Sequence, residues 1–284
     1  MGNAATMTLT APTPTPPPKA PPILPSLKPT AWQRAKQIIL PIVPFALLIA
    51  VWFSVIAINN PPIGILPRPL SVLSVPFTEA DQYWPNVLSS LFRLAIGFAV
   101  AASTGVIAGL IAGLSRRFSD FIGPLVTAMN AISGIAWIPL AIAWFGIGPQ
   151  FVIFIVWNGA FFLIFGNTVL GVRSVPEVLD RSLATLGASR MHIIRNVTIP
   201  GALPHVMSGL RSGLGFGWRA VIAAELVGAT SGLGQWIFIS QEFARADIIV
   251  AGALTIGIIG LIMDRGFLAP LERRTVERWG LVEA

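Results

Sequence analysis

Cysteine is absent from the 284-residue chain, which excludes structural disulfides and thiolate metal sites. Lysine stops early: Lys19, Lys28 and Lys36 are the only three. The body beyond them therefore has no P-loop lysine and no Schiff-base lysine, and the pattern G-x-x-x-x-G-K-S/T is missing. Hydrolysis of ATP by a Walker-type mechanism is excluded for this chain, so any ATP-driven work must come from a partner. Histidine is nearly absent too. His192 and His205 have no third ligand at metal spacing and no acid in a Ser/His/Asp arrangement, so they read as interface or solvent contacts. No catalytic residue, metal site or cofactor is expected. Charge itself is scarce, at 11% of residues against about a quarter in soluble domains.

What is abundant is apolar sequence: 54% of residues are hydrophobic and the mean hydropathy is +0.76. Apolar runs of about 20 residues read as membrane spans. Six are expected, at roughly 38–58, 87–114, 124–146, 151–171, 206–229 and 248–267. The second carries Gly105, Gly109 and Gly113, a small-residue stripe that lets helices approach closely. Gly148 and Pro149 make the turn between the third and fourth. Residues 1–31, with APTPTPPPKAPPILPSLKPT, are too rich in proline for helix or strand and are expected to be a disordered tail; 32–284 is the membrane domain.

The net charge of +7 would suggest nucleic acid in a soluble protein, but the placement of the basic residues argues against that. Lys19, Lys28, Arg34, Lys36, Arg116, Arg117, Arg173, Arg181, Arg190, Arg195, Arg273, Arg274 and Arg278 fall on one side of a six-span topology. The other side holds Arg68 and Arg245 with Glu79, Asp81, Glu242 and Asp247. The asymmetry puts both termini and the 173–204 loop in the cytoplasm.

That loop contains SLATLGASRMHIIRNVTIPGALP, a polar segment between two apolar runs. It reads as two short helices. Pro176 starts the first, with Glu177 and Asp180 at its positive end; Gly187 ends it. Ser189 caps the second, and Pro200 is expected to end it. Gly187, nine residues, then Val197-Thr198-Ile199-Pro200 resembles the coupling signature of ABC importer permeases, written E-A-A, three residues, Gly, nine residues, Ile, one residue, Leu-Pro. TLGASR (185–190) and PGALP (200–204) strengthen the likeness. Arg181-Ser182-Leu183 stands where the signature has Glu-Ala-Ala.

ILPRPLSV, SLFRLAIGF, IPLAIAWFGIG and RAVIAAELVG…GLG are similar to the branch of nitrate, bicarbonate, sulfonate and taurine permeases. LERRTVERWGL and GWRA look most like the nitrate type. The resemblance implies an all-α polytopic fold of the type I importer kind, with a coupling helix before the fifth span. It implies a second permease copy, two cytoplasmic ATPase subunits that hold ATP and Mg, a periplasmic or lipid-anchored binding protein, and the bacterial inner membrane. It places Arg181, Ala184, Thr185, Leu186, Gly187, Ala188, Ser189, Arg190 and Pro200 at the ATPase contact.

Charges and polar groups inside spans mark candidate route residues. Arg219 and Glu225 lie in the fifth span, six residues apart and on different faces. Arg219 suits a planar oxyanion, nitrate first and bicarbonate second, or else an internal ion pair. In the third span Asn130, Ser133 and Trp137 form one helical stripe, for an anion or for helix–helix hydrogen bonds, with Gly134 and Pro139 loosening the helix. A stand-alone secondary transporter or channel would need mid-membrane carboxylates, of which Glu225 is the one candidate, and would leave the Gly187…Pro200 pattern unexplained. An intramembrane hydrolase lacks a nucleophile–base pair.

Overall fold

Glycine spacing decides how the body packs. In a computed structural model, residues 31–59, 62, 64–268 and 270 are described. The proline-rich tail through residue 30 and the C-terminal LERRTVERWGLVEA lie outside them, so the expectations placed on those stretches do too. The first helix is α1 (Ala31–Asn59), which contains the first expected span. Up to Val55 it forms a compact unit of its own, and the elements from Ile56 onward form a second.

In the second unit, α2 (Pro69–Thr78) and α3 (Ala80–Leu114) come first. Pro69, between the first two expected spans, sits in the first turn of α2, where its fixed φ and missing N–H cost nothing. Next are α4 (Arg116–Ala131), a 3₁₀ turn (Gly134–Trp137), α5 (Ile138–Phe145) and α6 (Pro149–Ser174). The chain continues with α7 (Glu177–Thr185), α8 (Arg190–Ile193), a π-helical turn (Ile194–Thr198) and α9 (Ile199–Gly228). It closes with α10 (Leu233–Glu242), α11 (Ala246–Ile262) and a second π-helical turn (Met263–Leu268).

Helices α3, α6 and α9 pack together around Ala101, Ala160 and Ile164, all fully buried. The stripe on α3 is the reason α6 can come so close. A Cβ on Gly109 would lie 2.6 Å from Thr168 Cβ, and one on Gly113 2.6 Å from Val172 Cβ. Gly97 meets Val156 in the same way at 2.7 Å. From the other side, Gly213 of α9 seats against Ile164. Small residues thus replace the hydrophobic drive that lipid cannot supply.

Among the described residues, three helices are long and apolar enough to cross a membrane, or five if each bent pair counts as one span. The bent pairs correct two expectations. The third span, read as one helix over 124–146, turns by 92° between α4 and the 3₁₀–α5 segment. Ile132 and Ser133 are extended, with ψ of 123° and 135°, so the ladder of helical hydrogen bonds ends there. Asn130, Ser133 and Trp137 consequently do not share a helical stripe. The segment after the fifth span, GLGQWIFISQE, is a further helix, α10, bent by 41° from the run Arg190–Gly228.

Candidate functional site

The 173–204 loop is built by local backbone grammar. Pro176 is extended and leads into α7, with Glu177 and Asp180 in the first turn at the positive end of the helix dipole. Helix α7 ends in paired reverse bonds: Ala188 N–H donates to Leu183 C=O at 3.0 Å and Gly187 N–H to Ala184 C=O at 3.0 Å. This closure requires a left-handed residue after the cap, and Gly187 supplies it with φ +84°. Ser189 then accepts from His192 N–H at 3.4 Å and opens α8.

Pro200 does not stop the second helix. Ile199 N–H donates to Ile194 C=O, an i→i+5 bond that widens the helix one residue before the proline. The wider turn absorbs the N–H that Pro200 lacks, and the helix runs on from Arg190 to Gly228. The expected stop is a passage.

Ala184, Thr185, Leu186, Gly187, Ser189 and Arg190 are exposed, whereas Ala188 and Pro200 are half-buried. Leu186 is 83% exposed at the bend, an apolar side chain held out from the surface. Ile193 and Thr198 face inward. Arg181 pairs with Glu177 one turn earlier, both 79% exposed. Beneath lies a groove of roughly 940 Å³ whose walls include Arg116, Asp120, Arg173, Asp180, Arg181 and Arg190. His192 is exposed and His205 packs against Gly171. Among the described residues no group of three metal-ligating side chains occurs.

Within the body the two charges named from sequence have opposite fates. Glu225 is fully buried. Arg93 of α3, 4% exposed, donates to Glu225 Oε1 at 2.7 Å and reaches Ser231 C=O at 2.6 Å. Ser90 Oγ donates to the carboxylate at 2.8 Å and accepts Leu233 N–H at 2.9 Å. Gly234 N–H donates to Glu225 Oε2 at 3.0 Å, and Asn86 Oδ1 accepts Gly232 N–H at 2.7 Å. The carboxylate therefore knots the α9–α10 turn onto α3. Named on sequence as a route residue, it sits in a sealed ion pair with its acceptor sites filled.

Arg219 is exposed and, among the described residues, makes no hydrogen bond or ion pair. It lines a cavity of roughly 430 Å³ with Arg211, Gly215, Trp218, Gly260 and Asp264 among its walls, between α9 and the α11 end of the chain. Asn130 lines a separate cavity of roughly 290 Å³ with Thr127, Phe162 and Phe165. Ser133 is exposed at the break, and Trp137 packs on Trp144 and Phe154, ring centroids 6.4 Å away in each case. Arg219 and the Asn130–Trp137 set are therefore not brought into one cavity.

Sequence reasoning missed Arg93, Arg211 and Asp264. The signal was present: Arg93 and Arg211 interrupt apolar runs, and an ionisable residue in a span is a marker in its own right.

A family model described as "Binding-protein-dependent transport system inner membrane component" matches residues 105–275. The taurine transport system permease protein TauC of Escherichia coli is 33% identical over 89% of this chain and 94% of that protein. The bicarbonate transport system permease protein CmpB of Synechococcus elongatus is 32% identical, over 73% and 80%. The nitrate import permease protein NrtB of a Synechocystis species is 29% identical, over 87% and 93%. Among solved structures, the inward-facing MetNI methionine ABC transporter shares the fold, with a TM-score of 0.55 at 20% identity over 67% of this chain and 94% of that one. The chain belongs to the inner-membrane components of binding-protein-dependent transport systems, in the branch of ABC importer permeases whose members include the taurine, sulfonate, bicarbonate and nitrate proteins. It is a multi-pass membrane protein, all-α in its described residues, with the fold of a type I importer permease.

Proposed function

We propose that this chain forms the translocation path of an importer for a small oxyanion, with nitrate or nitrite first, bicarbonate second, and sulfonate or taurine after them. It is non-catalytic. Energy comes from two cytoplasmic ATPase subunits that carry ATP and Mg, and substrate from a periplasmic or lipid-anchored binding protein. A second copy of the chain completes the path. Both termini and the 173–204 loop face the cytoplasm of a bacterial cell.

The observation that carries the reading is the α7–Gly187–α8 bend. It presents Ala184 to Arg190 outward, with Leu186 almost fully exposed, on a helix that runs unbroken into the fifth span. A rigid handle joined directly to a spanning helix can convey a partner's closure to the membrane body. Arg181 is paired with Glu177, whereas Arg190 is exposed at the start of α8, so an acidic side chain is the fitting partner there. The nitrate preference rests on the likeness of LERRTVERWGL and the GWRA run to nitrate-type permeases; Arg219 of that run is exposed in its cavity and unpaired among the described residues. Of the other route residues proposed from sequence, Asn130 keeps an open cavity and Glu225 does not.

Affinity purification of the tagged chain from its native membrane tests this. An ATPase and an anion-binding protein should copurify, and vesicle uptake of nitrate should require ATP. Uptake by the chain alone without ATP would replace the reading with that of a stand-alone transporter. A binding protein that holds bicarbonate or a sulfonate but not nitrate would reassign the substrate.

A further inference from the structure

Two buried N–H groups donate to no acceptor among the described residues: Trp137 Nε1, just past the break between α4 and α5, and Asn158 Nδ2 on α6. Asn158 is 2% exposed. A buried donor left unpaired costs stability, so two in one neighbourhood call for a reason. Phe154 defines that neighbourhood. The Trp137 ring packs on Phe154, and Asn158 follows Phe154 one turn later on the same face of α6, about 6 Å along the axis. Trp144 and Phe145 of α5 pack on Phe154 too, with ring centroids 5.9 and 5.4 Å away, so the 3₁₀–α5 segment lies over this part of α6.

Further along the same face of α6, Phe162 and Phe165 wall the cavity of roughly 290 Å³ that also has Thr127 and Asn130 of α4 on its lining. Asn158 precedes Phe162 by one turn, so the covered donors lie one turn beyond the wall of an open cavity. An indole nitrogen can only donate, and the amide NH2 offers two more donors, so the fitting occupant is rich in acceptors. We propose that Asn158 and Trp137 form an oxyanion subsite of the translocation path, covered in this conformation by the 3₁₀–α5 segment and uncovered when that segment lifts. The proposal rests on the reading of the chain as an oxyanion permease, and it adds Asn158 to the route.

Uncharged donors suit a site of passage. A guanidinium among these aromatic side chains would need a counter-charge between transport events, whereas an amide and an indole cost far less to bury. Their hold on an anion is also weak enough for release, as passage requires. The covering segment has backbone irregularities at both ends where a hinge can act. Ile132 and Ser133 are extended before it, and Gly146 after it has φ +73°.

The chain has no cysteine, so one placed at position 158 is a unique probe on it. The copurified complex carrying Asn158→Cys is reconstituted in proteoliposomes and treated with a negatively charged methanethiosulfonate, and modification of this chain is read by mass. Labelling should be slow at rest and about tenfold faster during ATP turnover. No labelling in either state, or equal labelling in both, overturns the proposal. In the same system, ATP-driven uptake of isotope-labelled nitrate should fall about tenfold in Asn158→Leu and in Trp137→Phe, each of which removes a donor to a charged acceptor. The unfolding midpoint of Asn158→Leu should stay at or above that of wild type, because a buried unpaired amide is gone. A midpoint that falls together with uptake marks a packing asparagine and overturns the proposal, as does normal uptake in either variant. A wild-type complex that takes up neither nitrate, bicarbonate nor taurine under ATP sinks the importer reading itself.

Discussion

Two arginines in the spans of one protein meet opposite conditions. Arg93 is 4% exposed and its guanidinium donates to Glu225 and Ser231. Arg219 is exposed, unpaired among the described residues, and stands in a cavity of roughly 430 Å³. A charge in a membrane protein is expensive in either place, but the cost is met differently. Around Arg93 the protein supplies the counter-charge and two further acceptors, so the site is a fixed joint between α3 and the α9–α10 turn. Around Arg219 no described side chain supplies one, which leaves the guanidinium open to a counter-charge. Satisfaction of hydrogen bonds, more than depth in the span, separates a structural charge from one available to a ligand.

The largest effect should follow from opening the sealed site. Glu225→Ala leaves the Arg93 guanidinium buried without its carboxylate, a loss of about 3–5 kcal/mol. The expected outcome is a large fall in the detergent unfolding midpoint and in the yield of monodisperse protein. Adding Arg93→Leu should recover part of that loss, because no lone buried charge remains. Equal stability of Glu225→Ala and wild type would show that the knot is not structural.

Gly232 gives a second, smaller way into the same joint. Its φ is +112°, and a Cβ there would lie 2.2 Å from the Glu225 carboxyl carbon. Gly232→Ala carries about 1–3 kcal/mol of backbone strain and must also push the carboxylate off Arg93. Thermal unfolding should place it between Glu225→Ala and wild type.

Gly187 tests the conformational half of that argument without the packing half. A Cβ at Gly187 would meet nothing within 4 Å, so size alone has no steric consequence there. Its φ of +84° is what an L residue resists, at roughly 1–2 kcal/mol. Gly187→Val should leave global unfolding nearly unchanged while lowering transport per ATP hydrolysed in a reconstituted complex. Gly187→Asn, which tolerates left-handed backbone, should retain most of the coupling. Equal coupling in both variants would remove the bend from the mechanism.

These sites differ in how far the sequence revealed them. The α7–α8 bend was readable because Pro176, Gly187 and Ser189 act on their immediate neighbours, and starts, caps and reversals are local. Only Pro200 misled, since its effect depends on a π-helical turn that no residue type announces. The Arg93–Glu225 joint was hidden because its partners are 132 residues apart, and periodicity says nothing about which distant helix faces which. The bend at Ile132–Ser133 was half visible in Gly134 and Pro139, which marked a weak helix without fixing a 92° turn. Helices α2 and α10 lie between the six expected spans, too short for a span pattern to mark them, and Pro69 and Gly232 serve there as helix openings.

The smallest effect on stability should come from the open site, and it is the most discriminating. Arg219→Ala removes a charge that no described side chain balances, so its unfolding midpoint should stay within the equivalent of about 0.5 kcal/mol of wild type. Anion uptake should nevertheless fall steeply, because Arg219 is the guanidinium on this cavity that no described side chain pairs. Stability and transport thus separate at Arg219 and move together at Glu225. A variant of Arg219 that unfolds early and transports normally while folded would reverse the assignment, making Arg219 a second joint rather than a seat for the anion. The outcome turns on whether the guanidinium's missing partner belongs to the protein or to its cargo.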